Sequence, residues 1–349
     1  MTSRIAFIAL VTAFTFPLDS RSQGGAPLPV EGMLPPFTGA TGWLDSPALT
    51  PEGLRGKVVL VHFLTYTCVN WQRTQPYVRA WAQKYKDHGL VVIGVHTPEF
   101  AFEKNIDNIR PELAAFRVDY PVAVDSDYRV WNAFGNRYWP AIYVVDASGR
   151  IRFHHFGEGE YERTERVIQQ LLREAGRSGF GTDLVRAEAR GTEVAADWDN
   201  VRSPEAYLGR DQAQGFASPG GAVEGKSRRY AAPRTLALNR WALVGEWTVT
   251  PGFVALDKPG GRIAYRFHAR DVNLVMGAPA RGTSVRFRVL VDGQPPGNGH
   301  GTDVDAQGYG TATSQRLYQL VRQTGTVKER LFEIEFADPG VEAYVFTFG

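Results

Sequence analysis

Two hydrophobic periods divide this 349-residue chain, and their order constrains its fold more than any other feature. Between residues 56 and 177, apolar runs that read as strands alternate with segments of helical period. Residues 57–63 are a nearly continuous apolar run, the pattern of a strand buried on both faces. Residues 70–88 follow with Trp71, Val78, Trp81 and Tyr85 near three- and four-residue spacing, and Gly89 supplies a stop. Residues 90–95 read as a second central strand. Residues 141–145 and 151–153 pair as a hairpin across Ala147-Ser-Gly-Arg150, and residues 161–175 close the region as an amphipathic helix. Strands alternating with helices predict an α/β unit with a parallel-type sheet.

Beyond residue 202 the pattern is almost all strand. Residues 262–269, 284–291 and 330–336 alternate strongly, and residues 341–348 end the chain as another strand. Turns such as Asp292-Gly293 and Asp338-Pro-Gly340 separate them, which predicts an antiparallel β-sandwich. The predicted division is residues 1–23 as a signal peptide, 36–178 as the α/β unit, 179–202 as a linker, and 203–349 as the sandwich. The signal-peptide reading rests on Arg4 preceding an apolar run over residues 5–18, too short to cross a bilayer. Export would release a periplasmic or secreted protein with no membrane span in the mature chain. The net charge is +2, with Lys and Arg scattered among acids, so nothing argues for nucleic acid or an anionic membrane.

Cys68 is the only cysteine, so no internal disulfide can form. It lies where the first central strand gives way to the helix. A thiol there sits near unpaired backbone N–H groups at the positive end of the helix dipole, and both favour the thiolate that attacks disulfides or peroxides. The competing reading is a small buried hydrophobe.

These residues resemble the thioredoxin-like family, in particular the exported TlpA-type redoxins and the C-terminal part of DipZ-type proteins. The matching words are Thr65-Tyr-Thr-Cys-Val-Asn-Trp71, Pro76-Tyr-Val-Arg-Ala-Trp81, Gly94-Val-His-Thr-Pro-Glu-Phe100 and Phe134-Gly-Asn-Arg-Tyr-Trp-Pro-Ala141. The resemblance implies that Cys68 is the attacking thiol, that Pro76 is the helix proline, and that Pro140 is a cis-proline beside the thiol, exposing the backbone of Trp139. The family's second, resolving cysteine falls at Trp71. Ser203-Pro-Glu-Ala-Tyr-Leu-Gly209, residues 238–243 and residues 262–268 resemble the jelly-roll-like domain, similar to carbohydrate-binding modules, that follows the redoxin unit in DipZ-type proteins. The implied fold is therefore a thioredoxin-like α/β domain followed by an all-β jelly-roll-like sandwich domain.

Without a resolving cysteine, Cys68 can form a mixed disulfide but cannot release it internally, so an external thiol must do so. The expected partners are protein or small-molecule thiols and disulfides. A one-cysteine peroxidase is the alternative enzyme: Thr65 stands at the threonine position of a peroxiredoxin loop, but Val61 stands at the proline position. A binding protein on a redoxin scaffold is the non-enzymatic alternative. Trp71 either shields the sulfur or packs in the core. His96 and Glu99 follow the second central strand and can tune Cys68 or move a proton, while Thr97-Pro98-Glu99 also reads as a helix start. His62, Cys68 and His96 make an incomplete soft-metal set, and no metal or cofactor is expected. In the sandwich, Trp241, Trp247, Tyr265, Tyr309, Tyr318 and Tyr344 are either core aromatics or stacking faces for a carbohydrate.

Overall fold

The computed structural model describes residues 27–278 and 282–349; the signal-peptide reading of residues 1–23 lies outside them. Strands β1 (Gly32–Met33), β2 (Gly42–Leu44), β3 (Val58–Leu64), β4 (Leu90–His96), β5 (Val122–Val124), β6 (Ala141–Val145) and β7 (Arg150–Phe156) form one sheet in the order β1-β7-β6-β3-β4-β5-β2. Only β3–β4 and β4–β5 pair in parallel. All seven residues of β3 are buried, because helices cover both faces of the sheet. One face packs Leu60 and Leu64 under α1 (Val69–Tyr85), α2 (Ile106–Ala115) and α4 (Tyr161–Glu174). The other packs Val59, Val61 and Phe63 against Val130 and Trp131 of α3 (Arg129–Ala133). The predicted helix over 70–88 is α1 followed by a 3-10 turn, Lys86–His88, which ends on left-handed Gly89 (φ 94°).

Residues 179–202 contain a single 3-10 turn, Gly191–Glu193, yet they lie against the first unit. Phe180 and Val185 pack on its core, and Glu193 pairs with Arg79 of α1 at 2.9 Å.

The strands of the second region pair in antiparallel fashion: β8 (Ala206–Tyr207), β9 (Ser227–Tyr230), β10 (Trp241–Val249), β11 (Val254–Leu256), β12 (Gly261–His268), β13 (Asp271–Gly277), β14 (Val285–Val291), β15 (Tyr309–Ala312), β16 (Arg316–Arg322), β17 (Glu329–Phe336) and β18 (Glu342–Phe348). Nine run in the order β15-β14-β17-β12-β10-β11-β18-β13-β16, with β8 on β18 and β9 on β10. Strand β10 passes from one half to the other, pairing with β12 through Trp241–Val244 and with β11 through Trp247–Val249. Left-handed Gly245 (φ 99°) lies at the change. The two halves enclose a core that includes Trp241, Trp247, Tyr265 and Tyr318. These four aromatics are therefore core residues. Tyr309 is the exposed one, at 56%, with Arg288 over its ring.

The two units meet across the outer face of β13, β16 and β18. Val275, Leu317, Tyr344 and Val345 form an apolar cluster with Val69 of α1, flanked by Phe100, Phe102, Tyr207 and Phe253. In a regular strand Tyr344 and Val345 would point to opposite sides. A register shift opposite Val275 and Met276 makes Tyr344 an extra residue, so both side chains face the first unit. Tyr344 packs on Phe102 at 4.9 Å and on Phe100 at 5.1 Å. Tyr66 donates to the Gln315 carbonyl at 3.0 Å, and Arg73 donates to the Phe348 carbonyl at 3.1 Å.

Leu317→Glu should loosen this contact, because it places a charge in an apolar interface while sparing both internal cores. Alkylation of Cys68 by iodoacetamide should then rise about tenfold with unchanged far-ultraviolet circular dichroism. An unaltered rate would mean that the interface does not control access.

Candidate functional site

Cys68 is the N-cap residue of α1, with extended backbone (φ −71°, ψ 113°), at the strand-to-helix change expected for it. Its N–H donates to the Thr65 carbonyl at 3.2 Å, closing a tight turn, and its carbonyl accepts from Gln72 at 3.0 Å. The backbone N–H groups of Trp71 and Asn70 reach the sulfur and favour its anion. Burial acts in the opposite direction and is the larger effect, and the negative charges of Glu99 and Glu205 reinforce it. The balance holds the thiol well above its usual range. This corrects the expectation of a stabilised thiolate. A helix N-terminus contributes about 0.5–1 kcal/mol, whereas an anion removed from water costs several kcal/mol.

Trp71 takes the second of its two readings. Its ring is fully buried in the α1-side core and meets Phe116 edge-on at 5.2 Å. The indole nitrogen has no hydrogen-bond partner among the described residues. Only its backbone N–H serves the sulfur. Pro76 lies inside α1 as expected, and the Trp139–Pro140 bond is cis. Trp139 packs on Trp131 at 4.4 Å, leaving Tyr138 exposed beside it.

A carboxyl absent from the sequence expectations organises the loops. Glu103 is fully buried and accepts four hydrogen bonds: from the Thr67 hydroxyl (2.6 Å), the Thr67 N–H (3.4 Å), the Glu99 N–H (2.6 Å) and the Phe100 N–H (2.8 Å). It ties the turn that carries Cys68 to the loop that carries Glu99. Thr65 is buried near Glu103, but its hydroxyl does not reach hydrogen-bond geometry with any described group.

Thr97 does not cap a helix. Its hydroxyl donates to Asp125 at 3.1 Å, and the loop forms only a 3-10 turn at Ala101–Lys104. Glu99 beside it is half-buried and accepts a hydrogen bond from the Tyr207 hydroxyl. Burial, with Glu205 and Glu103 nearby, raises the Glu99 carboxyl from 4.5 to about 8. Glu205 stands at the exposed rim, yet enough protein surrounds its carboxyl to raise it as well.

His96 plays no electrostatic part at the thiol. Its ring is buried and stacked on Tyr66 at 5.7 Å, and burial lowers it to about 3, so it stays neutral. His62 is buried and lowered to about 3 for the same reason. Among the described residues no cluster of three His, Cys, Asp or Glu side chains has a metal-holding arrangement. Thus the structure brings together Cys68, Glu99, Glu205 and Tyr207, the last two from the second region. Glu205 and Tyr207 sit in the quoted 203–209 word, but nothing in their local pattern marks them as site residues.

Comparison with known proteins supplies the family. Residues 33–154 match the AhpC/TSA family, and residues 203–349 match the thioredoxin-like C-terminal domain family. DipZ of Mycobacterium bovis and of Mycobacterium tuberculosis are each 39% identical over 289 residues, 82% of this chain but 40% of theirs. The thiol-disulfide oxidoreductase YkuV of Bacillus subtilis is 30% identical over 141 residues, 40% of this chain and 95% of that protein. A solution structure of a thioredoxin-like protein in the oxidised form is 32% identical, with a TM-score of 0.38, covering 41% of this chain and 96% of its own. The chain belongs to the thioredoxin-like redoxins of the TlpA/DipZ type, a family of thiol-disulfide oxidoreductases. It spans about two fifths of the length of the DipZ relatives.

The raised Glu99 carboxyl fixes the sign of a pH effect. Its contribution is fully present below 4.5, where the unfolded carboxyl is also protonated, and is lost as pH rises to about 8. Across that interval the wild-type protein should lose stability relative to Glu99→Gln. Urea unfolding of both proteins between pH 4 and 9 measures the difference, and parallel curves would contradict a proton held on Glu99.

Proposed function

We propose that this protein is an exported thiol-disulfide oxidoreductase that works through Cys68 alone, by a monothiol route. The observation that carries the reading is the placement of Cys68 at the N-cap of α1, with two backbone N–H groups on its sulfur. In the forward step the Cys68 thiolate attacks one sulfur of a disulfide RS–SR. A bond forms between Cys68 and RS, the original S–S bond breaks, and RS⁻ leaves and is protonated. An external thiol R′SH then attacks the RS sulfur of the mixed disulfide, giving RS–SR′ and returning Cys68. The net exchange is RSSR + R′SH → RSH + RSSR′.

Glu99 suits the proton transfers. A carboxyl near pKa 8 exchanges protons with a thiol more readily than an ordinary glutamate, because the two affinities lie closer together. Export is supported by the apolar run over residues 5–18 behind Arg4. Fractionation of cells producing the full chain tests it directly.

One observation favours a second reading. The half-buried thiol, raised by desolvation, also fits a redoxin scaffold that binds a partner and has lost turnover. Incubation with 2-hydroxyethyl disulfide, followed by intact mass spectrometry, separates the two. The oxidoreductase reading expects one adduct on the wild-type protein, none on Cys68→Ser, and release by added thiol; absence of any adduct would leave the binding scaffold. Trp71→Cys restores a dithiol but empties a core site, so it should cost about 3–5 kcal/mol of stability. If the variant folds, it should reduce the same disulfide and form an internal bond between Cys68 and the thiol introduced at position 71.

A further inference from the structure

The joining of the two units limits what reaches the thiol. Val69, the residue after Cys68, would lie at the surface if the first unit stood alone, and here it is 5% exposed under Val275, Leu317, Tyr344 and Val345. Beside it, β8 runs along the edge of β18 with Val345 opposite Tyr207. The Leu208 N–H donates to the Tyr344 carbonyl at 2.8 Å, which locks β8 to the bulge. Tyr207 donates across the unit boundary to Glu99, and Glu205 lies two residues earlier on the same segment. Both carboxylates exert their charge on the sulfur. The cation of Arg73, one turn along α1, is committed elsewhere: it pairs with Glu158 at 3.1 Å and donates to the Phe348 carbonyl.

We propose that the β8 segment, through Tyr207 and Glu205, is the outer wall of the Cys68 site and selects its substrates, admitting small neutral or cationic disulfides and excluding polypeptides and anionic disulfides. The inference rests on the oxidoreductase reading of Cys68 and names its substrate class. Tyr207 sets the width of the opening by bridging to Glu99 across the boundary. Glu205 sets its charge preference, because a carboxylate at a partly desolvated rim attracts ammonium groups and repels carboxylates. The wall makes no bond to the reacting sulfur. The exchange is the one written above, with RS⁻ leaving from the attacked disulfide and an external thiol as co-reactant.

The test measures second-order rates of adduct formation on Cys68 by intact mass at pH 9, where Glu99 is ionised. The probes are cystamine (cationic), 2-hydroxyethyl disulfide (neutral), oxidised glutathione (anionic) and insulin (a polypeptide disulfide). The wild-type protein should react with cystamine about tenfold or more faster than with oxidised glutathione, and should form no insulin adduct. Glu205→Gln should cut the cystamine-to-glutathione ratio to about threefold or less while the neutral probe changes by less than about twofold. Tyr207→Ala should admit insulin or, if that variant fails to fold, Tyr207→Phe should raise the glutathione rate by removing only the bridge. Equal wild-type rates for all four probes, or a charge ratio unmoved in Glu205→Gln, would overturn the wall and leave the chemistry of Cys68 standing. Adducts from none of the probes would overturn both.

Discussion

Four hydrogen bonds from two loops converge on the carboxyl of Glu103, which has no contact with water. Burying such a group without partners would cost several kcal/mol, so the loops cannot separate without leaving a carboxyl and its donors unsatisfied. Its position dictates that Thr67 and Glu99 stay adjacent. From that follow the closeness of the Cys68 turn to the Glu99 loop, and the projection of Phe100 and Phe102 toward the second unit. Those two rings are where Tyr344 docks. The interface between the units is thus built on a loop whose shape one carboxyl maintains.

The same arrangement explains why the thiol resists ionisation despite its favourable helix position. Backbone donors supply a fixed but small preference for the anion. The second unit removes water and brings Glu205 up beside Glu99, and burial with these negative charges dominates. In the proposed exchange, the thiol proton would move to a neighbouring group, and the departing thiolate would take one up. Glu99 sits at an intermediate affinity because it is itself half-buried among acids. Environment, rather than residue type, raises this glutamate and keeps His96, by type the better proton carrier near neutral pH, uncharged.

How much of this is legible in the sequence depends on the range of the interactions involved. The strand before Cys68, the helix after it and the 141–153 hairpin are local and follow from period and turn chemistry, while the cis Trp139–Pro140 bond is what the family resemblance implies. The aromatics of β10, β12 and β16 stand where core residues do, and all five, Trp241, Trp247, Tyr265, Phe267 and Tyr318, are core. What escapes the sequence is non-local. Tyr207 and Glu99 are 108 positions apart, and Glu205 carries no mark that distinguishes it from any exposed glutamate. Glu103 has two donors near in sequence, the Glu99 and Phe100 N–H groups, but the other two come from Thr67, 36 positions away. The bulge at Tyr344 breaks the two-residue period that sequence reasoning relies upon, and so hides the residue that seals the interface.

Trp71 shows the same dependence on environment from the opposite side. Its three-residue spacing from Cys68 places it on the sulfur's side of the helix. The ring instead turns beneath α1 and packs on Phe116, where it is part of the core. A second thiol at this position would be small and close to the sulfur; a buried indole needs room that only differently arranged neighbours can provide. Elsewhere in the first unit, Gln72, Gln75, His62 and His96 each hold buried atoms without a partner among the described residues. Gln72 and Gln75 lie on α1 itself. A helix that carries a large apolar ring where the family has a resolving thiol can keep Cys68 in position, because that position comes from the backbone at Cys68 and the carboxyl at Glu103. Neither of them depends on what side chain occupies position 71.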